Sequence, residues 1–124
     1  MKRIALFLVL LSLTSITALA QVKVSATSAV PGQISATLTW IEATPGVTFK
    51  IYRAATPGGE NYASPLGTTG VGVLTYVDTT VAGGTTYYYT VTAFSTVESP
   101  PSNEVSAVIP IVPASPSLNP VVVQ

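Results

Sequence analysis

Between residues 22 and 110, apolar and polar side chains alternate in short runs with a period of two, and no stretch repeats at helical spacing. The runs cover residues 22–29, 34–41, 47–53, 63–68, 73–78, 85–94 and 103–109, and each is rich in β-branched or aromatic residues. Between them lie "VPGQ", "ATPG", "TPGGENY", "TGVG" and "VAGG". These are turn chemistry, because glycine reaches positive φ at little cost and proline pre-sets φ for a turn. Successive strand residues face opposite ways, so the runs can be sorted by face. Ile34, Ala36, Leu38 and Trp40 share one side of the second run, with Ser35, Thr37 and Thr39 opposite. In the third, Val47, Phe49 and Ile51 oppose Thr48, Lys50 and Tyr52. In the sixth, Tyr87, Tyr89, Val91 and Ala93 oppose Tyr88, Thr90 and Thr92. One polar face per strand predicts antiparallel sheets with a single side in the core.

Seven short strands in a span of about 90 residues predict an all-β, immunoglobulin-like antiparallel sandwich. "ISATLTWIEATPGVTFKIYRAATPGGENYASPLGTT", followed by "LTYVDTTVAGGTTYYYTVTAFSTVESPPSNEVSAVIP", resembles a bacterial fibronectin type III domain over residues 22–110. Trp40 closing the second strand, the "FKIYR" third strand, the "YVDTTVAGGTTYYYTVTA" segment and the final "SNEVSAVIP" strand carry the resemblance together. It implies that Trp40 is the central core aromatic. It also implies that Tyr87 is a tyrosine corner, its hydroxyl bonded to backbone a few residues upstream. Tyr89 is expected to point inward with Tyr87, and Tyr88 outward.

The two ends differ from this middle. Lys2 and Arg3 precede an apolar run ending in Ala18-Leu19-Ala20, so residues 1–20 are expected to be a signal peptide cleaved before Gln21. The unbroken apolar core is well below the ~20 residues that span a bilayer. The predicted domain is residues 21–110. Residues 111–124, with Pro113, Pro116 and Pro120, read as an extended spacer or loosely docked tail, whose Val121-Val122-Val123 can pair with an open sheet edge. Without the leader the chain has Lys23, Lys50 and Arg53 against five acids, a formal −2. Three scattered cations do not make a phosphate-binding face, which argues against nucleic-acid binding.

Candidate chemistry is sparse. The chain has no His and no Cys, which removes Ser-His-Asp triads, Cys-His pairs, His-based zinc sites and disulfides. No phosphate-binding glycine loop occurs; "GVG" at residues 70–72 is a turn with no helix after it. No cofactor or metal is expected. Glu98 and Glu104 flank "SPPSN" and could be imagined as a glycosidase pair, but solvated loop charges are the simpler reading. The loop at residues 95–102 contains no Arg-Gly-Asp, and no Asn carries a glycosylation sequon. Lys50, Tyr52, Tyr88 and Thr90, on the outward face of the third and sixth strands, form the candidate binding surface, with Thr92 beside them. Arg53 is expected to pair with Glu60. The resulting expectation is a secreted or periplasmic, non-catalytic binding or spacer module serving adhesion, protein interaction or assembly. The alternative is a carbohydrate-binding accessory module using exposed tyrosines. The partner is an extracellular protein or polysaccharide, with self-association through the tail or a sheet edge as a further option.

Overall fold

The computed structural model describes residues 33–123 in full and residues 21–27 as backbone. The proposed leader, and residues 28–29 of the first predicted run, lie outside the described residues. Strands follow in the order β1 (Gln21–Thr27), β2 (Ser35–Ile41), β3 (Thr48–Ala54), β4 (Gly67–Thr69), β5 (Thr75–Asp78), β6 (Thr86–Phe94) and β7 (Val105–Val108). They form two antiparallel sheets, one ordered β1-β2-β5 and the other β4-β3-β6-β7. Among the described residues no helix is long and apolar enough to cross a membrane.

The faces sort as the alternation predicts. Ala36, Leu38 and Trp40 of β2 and Phe49 and Ile51 of β3 are buried, together with Tyr89 and Val91 of β6. Ala107 and Ile109 close the same core from the last strand and its exit. Each large apolar side chain among these stabilises the fold by about 1.5–3 kcal/mol through removal from water. Trp40 meets Phe49 edge-on, ring centroids 5.2 Å apart, an arrangement that aromatic quadrupoles favour.

One predicted strand shrinks. Of residues 63–68, only the end belongs to β4, because Asn61 and Ser64 close a turn through a 3.0 Å backbone bond and Pro65 has no N–H for a ladder. Gly67 is needed there for space. A Cβ on it would lie 2.4 Å from the hydroxyl of Tyr76 and 2.7 Å from its ring. At one pole, Gly84 takes φ 77° in the turn before β6 and donates its N–H to the carbonyl of Ile109 at 2.9 Å. Pro110 and Ile111 lie directly over Gly83 and Gly84, so the last segment leaves the sandwich across this turn. Beyond it, residues 112–123 are exposed and pair with nothing in the β ladders.

Candidate functional site

The predicted binding surface lies on the outer face of β3 and β6, where the register sets Lys50 opposite Thr92, Tyr52 opposite Thr90, and Ala54 opposite Tyr88. The four candidates do share that face, but the expectation that it is open is corrected by the structure. Tyr52 is 1% exposed, Thr90 3% and Thr92 2%. Two loops roof the strip. From the β3–β4 loop, Tyr62 lays its ring edge-on against Tyr52, centroids 4.9 Å apart, with its hydroxyl 3.3 Å from that of Thr90. From the β6–β7 loop, Glu98 reaches back over the other end. One of its carboxylate oxygens accepts from Lys50 Nζ at 2.6 Å; the other accepts from Tyr52 Oη at 2.5 Å and Thr92 Oγ1 at 2.6 Å.

The electrostatics follow from this geometry. Hydrogen bonds from Lys50, Thr92 and Tyr52, in that order, hold the Glu98 carboxyl down at about 2. Burial, reinforced by its bond to Glu98, pushes the Tyr52 phenol up to about 12. Lys50 also sits 4.7 Å above the Phe94 ring, so its charge is balanced from two sides. Glu98 is therefore a clasp across the strip and not the solvated loop charge that the sequence suggested. At the far end, Glu104 accepts from the Gly58 N–H at 2.6 Å and tethers the β3–β4 loop to the start of β7. Glu60 adjoins it, and burial followed by the neighbouring Glu104 charge raises its affinity for a proton.

A second polar group lies on the inner side. Arg53 pairs with Asp78 at 2.7 Å, and not with Glu60 as expected, because Arg53 is on the inward-facing register of β3. Tyr89 Oη donates to Asp78 at 2.9 Å, and Thr80 contributes its hydroxyl at 2.7 Å and its N–H at 2.9 Å. Burial alone would raise the Asp78 carboxyl, but these bonds from Thr80, Tyr89 and Arg53 outweigh it and keep the group ionised. The Tyr89 phenol moves the other way, raised by burial and by donation to Asp78. Tyr87 is half-buried, lies under the Arg53 guanidinium at 4.6 Å, and accepts the Ala82 N–H at 3.2 Å. That bond to backbone upstream is the one expected of it. Trp40, 3% exposed, and Tyr89, fully buried, occupy the core as anticipated.

The aromatic surface that remains accessible on this face is Tyr62, 46% exposed, and the half-buried Tyr88. Sequence reasoning missed Tyr62. Its signal was an aromatic side chain isolated in a Gly-, Asn- and Pro-rich loop, "GGENYASP", where a ring must find a surface to cover. Among the described residues, no group of three or more Asp or Glu converges as a metal site would require.

No protein-family model matches the chain, and no curated protein does. Solved structures do share its fold. The sixth fibronectin type III domain of human fibronectin type III domain containing protein 3 superposes with a TM-score of 0.57 at 23% identity, covering 82% of this chain and 91% of that one. Pectate lyase PelI from Erwinia chrysanthemi, solved with tetragalacturonic acid, gives a TM-score of 0.58 at 21% identity over 72% of this chain. A β-1,2-glucanase from Parabacteroides distasonis gives 0.57 at 24% identity over 82% of this chain. The chain spans 28% of the lyase and 14% of the glucanase. At these identities the likeness establishes the fold: the chain is an antiparallel, immunoglobulin-like β-sandwich of fibronectin type III shape.

Proposed function

We propose that this chain is an exported, non-catalytic interaction module of bacterial origin, a seven-stranded fibronectin type III domain with a leader at residues 1–20 and a spacer tail from residue 111. One observation carries the non-catalytic part: its best-placed acids are already engaged in structural hydrogen bonds. Asp78 is held by Arg53, Tyr89 and Thr80, Glu98 by Lys50, Tyr52 and Thr92, and Glu104 by the Gly58 N–H. A glycosidase pair needs two free carboxyls facing each other across about 5–9.5 Å of open cleft. Glu98 and Glu104, the pair suggested by sequence proximity, are instead committed to different partners, Glu98 to side chains of β3 and β6 and Glu104 to the Gly58 N–H of the β3–β4 loop. The outer face thus serves to order loops for contact with a partner. The export part rests on the basic, apolar and small-residue pattern before Gln21. Its test is mass spectrometry of protein recovered from outside the cytoplasm of expressing bacteria. An N-terminus at Gln21 is expected; protein retained inside with Met1 intact refutes export.

A second reading, a carbohydrate-binding accessory module, is favoured by the exposed Tyr62 ring on the same sheet face as Tyr88. An aromatic platform stacks readily on sugar rings, and two of the fold neighbours are named for polysaccharide substrates. In this reading the platform is Tyr62 with Tyr88, since Tyr52 lies beneath Tyr62. Affinity electrophoresis in pectic and β-glucan gels tests it. Retardation lost in Tyr62→Ala/Tyr88→Ala supports it, and unretarded wild-type protein excludes these glycans.

A further inference from the structure

Among the described residues, exposed large apolar side chains cluster in two regions. One is the free edge of the three-stranded sheet. β5 ends that sheet, pairing with β2 on one side and with no strand on the other among the described residues. Beside this edge Val77 is 48% exposed, Val73 42%, Leu74 37% and Val71 63%. From Asn61 to Val77 there is no charged residue, and no proline falls in β5 or its approach. Natural sheets guard such edges with Lys, Pro or a bulge, because bare N–H and C=O groups recruit another strand. Of the two ends of the neighbouring sheet, β4 offers only three residues, one of them glycine, and β7 lies beside β1.

The second part is the tail. Every residue from Val105 to Gln124 is uncharged. Leu118 is 97% exposed, and Val121, Val122 and Val123 are 88%, 82% and 89%. Three consecutive valines after Pro120 have high β-propensity and no packing surface of their own. We infer that Val121–Val123 of one copy adds as a strand to the β5 edge of a second copy. The inference rests on reading the domain as an interaction module and names its partner as the same chain. Backbone bonds to β5 would supply the affinity, with valine side chains laid beside Val77 and Leu74. Neither surface exposes a charged side chain that would have to be stripped of water, and the tail's exit over Gly83 and Gly84 leaves it free of its own sheets.

The test uses protein purified from cells expressing the full 124-residue sequence. Sedimentation velocity over a concentration series is expected to show reversible self-association. Val122→Asp in the tail, or Val77→Lys on the edge, is expected to weaken it by about tenfold or more, since a charge must then enter an apolar strand pair. Both sites are exposed, so neither change threatens folding. The chain contains no cysteine, which permits a direct check of who pairs with whom. Val77→Cys protein mixed with Val121→Cys, Val122→Cys or Val123→Cys protein, with dissolved oxygen and a copper catalyst as oxidant, is expected to yield a disulfide-linked heterodimer in at least one mixture. A monomer at all concentrations, or association unchanged by Val122→Asp, overturns the inference. So does a chain carrying both Val77→Cys and Val122→Cys that, oxidised in air, closes within itself and not between chains. None of these failures touches the export reading, which is scored separately by the N-terminus of the recovered protein.

Discussion

Removing the Glu98 carboxylate probes the roof over β3 and β6 most directly. In Glu98→Ala, Tyr52 Oη and Thr92 Oγ1, belonging to side chains of residues 1% and 2% exposed, lose their acceptor. A buried hydroxyl without a partner costs about 1–3 kcal/mol. Lys50, with its side chain 27% exposed, can turn to water, so its share is below about 1 kcal/mol. The expected loss is therefore about 2–6 kcal/mol from the two hydroxyls with at most about 1 kcal/mol more from Lys50, a large part of the stability of an ordinary domain. Glu98→Gln keeps an acceptor oxygen and loses the charge, for an expected loss of about 1–2 kcal/mol. Urea unfolding followed by fluorescence of Trp40, the single tryptophan, reads both. For slopes of about 1–3 kcal/mol per molar, the alanine variant should unfold at a urea midpoint at least about 0.7 M lower. Acid supplies an independent check. The carboxyl titrates at about 2 in the fold against 4.5 when unperturbed, so its stabilisation is complete above the ordinary carboxylate range and disappears as pH falls from 4.5 towards 2. With Glu98 29% exposed, solvent screening reduces this contribution to about 1–2 kcal/mol. The gap between wild type and Glu98→Gln should narrow over that window. A Glu98→Ala protein within about 0.5 kcal/mol of wild type, or a gap that stays constant through the acid range, would refute the clasp.

Three further substitutions separate the supports of the fold. Asp78→Asn leaves Arg53, its side chain 23% exposed, facing a neutral group and weakens the bonds from Tyr89 and Thr80, which should cost about 1.5–3 kcal/mol in urea unfolding at neutral pH. Gly67→Ala drives a methyl into the Tyr76 ring and should destabilise by about 1–3 kcal/mol, detectable as a lower melting temperature; no loss would mean that the ring moves aside freely. Tyr87→Phe removes the acceptor for the Ala82 N–H, which water can replace at that exposed turn, so calorimetry should show a loss of only about 0.5–1.5 kcal/mol.

The sheet interior was legible in the sequence because a period of two assigns Leu38, Ile51, Tyr89 and Val91 to one side of their strands without reference to anything distant. The same rule told Tyr52 and Thr90 apart from the core but said nothing about what would cover them. Their covers come from Tyr62 and Glu98, in loops whose composition announces a turn and not its destination. Arg53 was assigned to Glu60 by closeness in sequence. The fold instead gave it Asp78, 25 residues on, since both side chains turn inward from facing sheets. The predicted strand at residues 63–68 failed for a local reason, Pro65, that sequence alone could have weighed more heavily.

The roof has a consequence for how the molecule opens. In most sandwiches each sheet has one wet face, and its amides can reach solvent through small local fluctuations. Here β3 and β6 are central in their sheet and are covered by the core on one side and by Tyr62 and Glu98 on the other. Their amide protons should exchange with deuterium only through global unfolding, whereas those of the β4 and β5 edges exchange through local opening. Glu98→Ala would then convert the slow amides around Tyr52 and Thr92 from the global to the local regime while those around Leu38 stay slow. The two faces of this small domain are thereby distinguishable in time as well as in space.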